Sequence, residues 1–460
     1  MKKRALFLAF FVLSVVMMRA GGIMTNTNYH IAFDRMFARG TTFDIDAAFS
    51  NPAGLVWGHE GWQMSLNFQK PWQNRDIETT FPLILQQMYG DSNHKFHGKA
   101  SAPVVPALFA SYKKDRWAVS TMIGIVGSGG FVQYDEGVPM FSVMLGSMLA
   151  SHYISPDQYR LSSQMKGKQY IYGGQLNFSY RIFDHVSAAV GVRANYYDGY
   201  YRGHVIADNH PVLGDLVRLN LDVDQRAWGF TPLFSIDYHQ GPLTLAARYE
   251  FRTRICTENK TNTLEATMGT GLQQAIMAAD PTTGAATLQA IGQALDAKTA
   301  PYKDGAETRY DMPALLTFAV GYEFTPKLRA ALEYHFFDDK NAKMANDRQE
   351  ELTHGTHEFL AGIEYDVNDR LTLSCGGQRT DYGISDKFQT NTSFVCDSYS
   401  LGLGAAVNLT EKMRLNVSYF CSLYDDYKVV YDNYLNTGMP GIDTYSRTNH
   451  VIGVGIDYKF

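Results

Sequence analysis

The sequence predicts an all-β chain, a transmembrane antiparallel β-barrel of about 14 strands. Three observations carry that expectation. Runs of about ten residues alternate between apolar and polar side chains, the pattern of a strand with a different medium on each face. The connections between these runs alternate short and long, as in outer-membrane barrels with tight periplasmic turns and long extracellular loops. The chain also opens like an exported protein and then holds no apolar run long enough to cross a bilayer as a helix.

The opening comes first in chain order. Met1-Lys-Lys-Arg4 is basic, Ala5 to Met18 is almost wholly apolar, and Arg19-Ala-Gly-Gly22 supplies small residues, so residues 1–21 read as a signal peptide cut near Ala20 or Gly21. No cysteine follows the apolar stretch, which argues against a lipoprotein. A mean hydropathy of −0.22 excludes a helical membrane protein, and a net charge of −5 gives no sign of a nucleic-acid partner. Four cysteines are too few to staple 460 residues; Cys375 and Cys421 fall in phase with apolar faces and read as small hydrophobes.

Residues 22–58 show no sustained period and end in Ala47-Ala-Phe-Ser-Asn-Pro-Ala-Gly-Leu-Val-Trp57, rich in turn formers. The alternating part, residues 59–460, begins with Trp62, Met64, Leu66 and Phe68 on one face and Gln63, Ser65, Asn67 and Gln69 on the other. Paired runs follow across tight turns. They are 104–112 with 117–125, 170–182 with 186–197, 227–238 with 243–255, 313–324 with 328–337, 357–366 with 371–381, and 398–409 with 413–427, before a final run at 449–460. The long connections fall at 70–103, 126–169, 198–226, 256–312, 338–356, 382–397 and 428–448. Tyr238, Tyr249, Phe251, Tyr322, Phe324 and Tyr365 gather near run ends, where interfacial girdles sit. Within the long connections, 81–89, 138–150, 272–279 and 285–297 read as short helices. They are Met-rich and apolar, suited either to greasy ligands or to packing on one another as a cap.

Turning the apolar faces to lipid sends Arg181, Arg193, Arg248, Glu250, Arg252, Glu323, Arg329, Glu333, Glu358, Glu364 and Arg414 inward. Charges of both signs suggest pairing across the lumen; Arg193 and Arg248, near mid-strand, are also the candidates for an anionic ligand head group. Gly124, Gly127, Gly129 and Gly130 crowd the end of the third strand, either as a kink in the wall or as the start of a flexible loop.

An N-terminal segment ending in Asn51-Pro-Ala-Gly-Leu55, about fourteen strands and a terminal Phe460 together resemble the FadL/TodX family of outer-membrane transporters of hydrophobic compounds. The resemblance implies a barrel whose lumen is plugged by a small N-terminal hatch, residues 22–58, with Asn51, Pro52, Ala53 and Gly54 at its gate. It implies passive uptake of ligands such as long-chain fatty acids: capture by loops, binding in the lumen, and sideways release beside a kink in the third strand. Partners would be hydrophobic small molecules and the lipid of a Gram-negative outer membrane, with a monomer as the default for a closed barrel.

Other functions compete. A surface adhesin or receptor could be built on the long loops, and a porin could share the barrel. An outer-membrane hydrolase would need converging acid, base and nucleophile; His335, Asp338, Asp339, His354, His357 and Glu358 are present, but no nucleophile motif accompanies them. No metal spacing, phosphate loop or cofactor motif appears, and no enzymatic activity is expected.

Overall fold

The structure is a computed structural model that describes Met24 and residues 29–460, apart from Pro103 and Asp280. The expected signal peptide, residues 1–21, lies outside the described residues. All strand segments belong to one antiparallel sheet. Four pairs of segments each continue one strand across a break, so the barrel has fourteen strands.

In chain order β1 is Gly61–Thr80, β2 is Asn93–Ser101 continued by Val105–Lys114, and β3 is Trp117–Tyr134. The tallest strands follow: β4 (Arg160–Arg181), β5 (Val186–Asp208) and β6 (Val217–Gln240). Next come β7 (Leu243–Glu250 and Cys256–Met268), β8 (Glu307–Arg309 and Leu315–Thr325), β9 (Leu328–Phe337) and β10 (Thr356–Asp366). The circuit ends with β11 (Leu371–Asp381), β12 (Ser398–Asn408), β13 (Met413–Tyr424 and Tyr427–Tyr431) and β14 (Gly441–Lys459). Pairing from Gln63↔Lys459 to Thr80↔Ile442 joins β1 to β14 and closes the barrel.

The period-two pattern resolves into two faces. Trp62, Met64, Leu66 and Phe68 are exposed to the outside, while Gln63, Ser65, Asn67 and Gln69 are buried within. The same outward phase carries Leu176 and Phe178 on β4, Phe234 and Ile236 on β6, and Ile452, Val454 and Ile456 on β14. In water so much exposed apolar surface would aggregate; in a bilayer it is the solvated face.

The strands run past the boundaries that alternation sets. β1, β4, β5 and β6 have 20, 22, 23 and 24 residues, about twice what a tilted strand needs to cross. Much of the expected loops 126–169 and 198–226 is therefore strand. Outside the membrane the outer face meets water and the inner face packs against the cap, so the apolar side chains switch to the inward phase, as Leu219, Leu221 and Val223 of β6 do, while the backbone ladder continues. Arg202 of β5 instead pairs with Asp222 and Asp224 of β6 at 2.9 and 3.2 Å. The expected run 243–255 breaks after Glu250, and Arg252 is exposed rather than lumenal.

The four expected loop helices are present: α3 (Ile84–Tyr89), α4 (Pro139–Ser151), α5 (Thr270–Ala279) and α6 (Gly284–Thr299), numbered after two in the N-terminal segment, α1 (Ile31–Met36) and α2 (Ala47–Ser50). Their apolar faces are buried as a cap. Phe81, Ile84, Leu85, Phe141, Leu145 and Met148 join one core with Tyr201 and Val205 of β5.

Candidate functional site

Below the cap the lumen is occupied by the N-terminal segment. All six residues of α1 are buried, and the helix packs against β10 to β14 and β1. Glycines on the wall allow this approach. A Cβ on Gly376 of β11 would lie 1.9 Å from the Met36 carbonyl oxygen, and one on Gly402 of β12 would lie 2.2 Å from that of Asp34. No side chain fits at either position.

The rest of the segment is gripped by wall side chains that reach its backbone. Gln175 and Asn177 donate to the Ala48 carbonyl at 2.9 Å each, Ser179 to Pro52 O at 2.7 Å, and Ser187 to Ala53 O at 2.8 Å. Ser235 accepts from the Ala53 N–H at 3.1 Å. The side-chain amide of Asn51 donates to Gly40 O at 3.0 Å and to Asp237 at 2.9 Å, tying the segment both to itself and to β6. Pro52 opens the 3-10 turn Pro52–Trp57, where a missing N–H costs nothing. Gly54 has no room for a Cβ, which would stand 2.5 Å from Thr42 O.

Charge completes the seat. Arg35 binds Glu364, and Arg39 reaches Asp46 at 2.7 Å and Glu364 at 3.3 Å. Glu333 accepts the backbone N–H groups of Arg39 and Gly40 at 2.8 and 2.7 Å. His335 bridges Glu333 (2.7 Å) and Glu358 (2.9 Å). Asp44, at the periplasmic end of the segment, is part-exposed; the desolvation it does suffer is outweighed by Arg414 and Arg39, which hold its carboxyl well below the usual range. Arg193 is fully buried in a two-pronged pair with Glu250, and Arg248 joins the same Glu250 at 2.8 Å while donating to the carbonyls of Phe49 and Ser50. Arg248 thus ties the wall to the segment, while Arg193 pairs within the wall, its guanidinium 5.7 Å from the Phe49 ring centroid.

The wall is discontinuous at one seam. β2 and β3 pair from Lys114↔Trp117 to Leu108↔Ile123, and again from Ala100↔Val132 to Gly98↔Tyr134. Between these stretches no pairing joins 101–107 to 124–131 among the described residues. On its other side β3 stays bonded to β4, with register shifts between Ile125 and Gly127 and between Ser128 and Gly130. The glycine cluster Gly124, Gly127, Gly129 and Gly130 therefore lies along the gap, and Gly130 has φ +72°.

Ala102, Val105 and Ile125 line the gap as a small apolar group, with Tyr29 and Tyr170 packed on it. Tyr29 also borders a larger apolar cluster inside the barrel, which includes Phe109, Met122, Val126, Tyr197, Met312, Leu315 and Phe337. One tyrosine of the N-terminal segment thus stands between the lumenal cluster and the opening. The sequence did signal the β2 side of this gap, since Pro103 and Pro106 cannot donate to a ladder. His335 pairs with Glu358 and Glu333, while Asp339 accepts the Thr356 N–H, and among the described residues no serine, threonine or cysteine is hydrogen-bonded to His335.

Residues 266–460 match a family model described as an outer membrane protein beta-barrel domain. The fold is similar to the crystal structure of a Pseudomonas aeruginosa FadL homologue, with TM-score 0.65 and 15% identity over 95% of this chain and 99% of that one. It is similar also to the Pseudomonas putida toluene transporter TodX (TM-score 0.59, 13% identity, 95% and 100% covered). The Ralstonia pickettii toluene transporter TbuX gives TM-score 0.51 and 12% identity over 90% and 94%. No curated protein matches the chain at the sequence level. The chain has the outer-membrane barrel architecture of these channels, and at such identities the likeness is one of fold.

Proposed function

We propose that this outer-membrane barrel is a passive uptake channel for hydrophobic compounds, releasing them sideways into the bilayer through the gap between β2 and β3. The observation that carries the reading is the interrupted ladder opening beside an apolar lumenal cluster, while the N-terminal segment fills the route straight down. The residues 22–58 act as a hatch, with Asn51, Pro52, Ala53 and Gly54 fastening it to the wall. Blocking the axial route makes physical sense for such a cargo. Each buried CH₂ is worth about 0.8 kcal/mol, so an apolar molecule pushed through water would surrender what drew it into the lumen. Lateral exit keeps it in apolar surroundings throughout.

The similar structures, a FadL homologue and toluene transporters, fit this class of cargo. Long-chain fatty acids and small aromatic compounds are the two candidate groups. The test is a cross-link over the gap. Val105→Cys with Ile125→Cys, placed in the same apolar group, is expected to abolish uptake of labelled hydrophobe into liposomes when oxidised and to restore it on reduction. Undiminished uptake through the oxidised barrel would end the lateral-exit reading.

A further inference from the structure

On the outer face of the barrel, lysines gather around the extracellular end of the seam. Along β1 the outward phase runs Phe68, Lys70, Trp72, so Lys70 interrupts the apolar band at its aromatic border. Its Nζ donates to the carbonyl of Ala102 at 3.1 Å, where β2 breaks. Lys99, also outward, stands over the break on β2 and faces Gln133 of β3, one rung above Ala100↔Val132. On the other side, Lys168 of β4 faces Phe131 and Lys166 faces Gln133, both on the outward phase. Tyr170 and Tyr172 come next along β4 toward the membrane. Lysines from three strands thus frame one opening.

Their charge is only partly used within the protein. Lys168 pairs with Asp198 and lies 5.3 Å from the Tyr200 ring centroid. Among the described residues neither Lys99 nor Lys166 pairs with a carboxylate. The acids nearby on the same face are engaged elsewhere, Asp135 with Gln133 and Asp76 with Lys95 and His97. Lys99 and Lys166 lie in register two strands apart, about 10 Å between their backbones, so one oxyanion between them can meet both ammonium groups. Lysine stems lie along apolar surface and hold their charge at head-group depth. Toward the membrane the surface turns apolar, with Val104 exposed and Ala102, Val105 and Ile125 lining the gap.

We propose that Lys99 and Lys166, with Lys70 and Lys168 beside them, bind the phosphate of an outer-leaflet lipid whose acyl chains lie over the seam. Lysine is a compact charge suited to phosphate, and basic clusters at the edge of the hydrocarbon region hold anionic head groups. From that anchor the chains run past Tyr170, Tyr172 and Val104 and cover the gap from outside. The site stands on the geometry of the seam and does not depend on what the barrel carries.

Dioleoyl phosphatidic acid and dioleoylglycerol carry the same chains and differ in the phosphate. With the full barrel in a neutral detergent, native mass spectrometry is expected to show the acid binding about tenfold or more tightly, the factor set by charge-assisted hydrogen bonds. The K99Q/K166Q variant, checked for folding by heat-modifiable gel mobility, is expected to lose that preference. K260Q, which removes an exposed lysine from the outer face of β7, is expected to keep it. A preference that survives in K99Q/K166Q, or that falls equally in K260Q, overturns the site. Glycerol 3-phosphate displacing the lipid as well as phosphatidic acid does would reduce the site to one for free phosphate and overturn the lipid. Phosphatidic acid with a photoreactive group in its acyl chain places the tails on the wild type, whether or not the double variant folds. Label is expected on residues 101–107 and 124–131, and label spread evenly around the wall would overturn the cover over the seam.

Discussion

At the level of single residues, alternation places side chains well and identifies their partners poorly. Arg193 and Arg248 were legible as lumenal because their strands keep phase around them. What they meet was not, since Glu250 lies 57 positions from Arg193 and the carbonyls of Phe49 and Ser50 lie almost 200 from Arg248. Asp339 shows the same limit and yields a test. It follows β9 in an extracellular connection, is nearly buried, and accepts the Thr356 N–H at 3.1 Å. Burial pushes its carboxyl up to about 6, with Asp338 and Glu358 adding to the effect. The folded protein therefore binds this proton more tightly than the unfolded chain. The stability associated with it is full below about pH 4 and is lost as pH rises through 6, by about 3 kcal/mol in all. Asp339→Asn keeps an acceptor for Thr356 without the charge. Hydrogen exchange across 338–355 is expected to speed up between pH 4.5 and 7 in the wild type, after correction for intrinsic rates, and to stay level in the variant. Parallel profiles would remove Asp339 as the cause.

Elements were legible wherever one face meets lipid and the other does not. The membrane halves of the strands and the four cap helices were therefore readable, the helices because apolar runs between turn signals have few other uses. The upper halves of β3 to β6 were not, because there the apolar side chains change from the outer face to the inner one and the phase that marks the membrane part is broken. The fit of α1 against its wall was also hidden, since a lumenal glycine looks the same as a flexible one. Gly376 and its neighbour Gly377 separate these meanings. A side chain at Gly376 collides with the Met36 carbonyl, whereas a Cβ at Gly377 finds its nearest atoms at 3.5 and 3.6 Å. Gly376→Val is expected to cost about 1–3 kcal/mol by overpacking, to unseat α1 and to raise ion leakage in planar bilayers. Gly377→Val should leave leakage unchanged. Equal behaviour of the two variants would show that α1 does not depend on that contact.

For the molecule as a whole, the proposed uptake distinguishes two routes, and separate parts of the barrel would close them. The axial route is filled by residues 29–58, and the lateral one is bordered by β2, β3 and Tyr29. If the segment acts only as a plug, removing residues 29–58 opens a polar pore lined by Gln63, Ser65, Asn67 and their counterparts around the wall. The charge of that pore follows from the partners left behind. Glu364 loses Arg35 and Arg39, Glu333 loses two backbone donors, Asp457 loses His30 and Asp237 loses Asn51. On the basic side Arg248 loses the carbonyls of Phe49 and Ser50, and Arg414 loses Asp44 at 3.6 Å. More carboxylates than guanidiniums are released, and the narrow lumen concentrates their field. The truncated barrel is therefore expected to conduct ions with a modest preference for cations, read from the reversal potential in a salt gradient, while the full chain stays nearly silent. Combining the truncation with Val105→Cys and Ile125→Cys and oxidising the new thiol pair should leave that current untouched, because ions travel along the axis. A current that falls on cross-linking would mean that both cargoes share the gap, and the separation of routes would be lost.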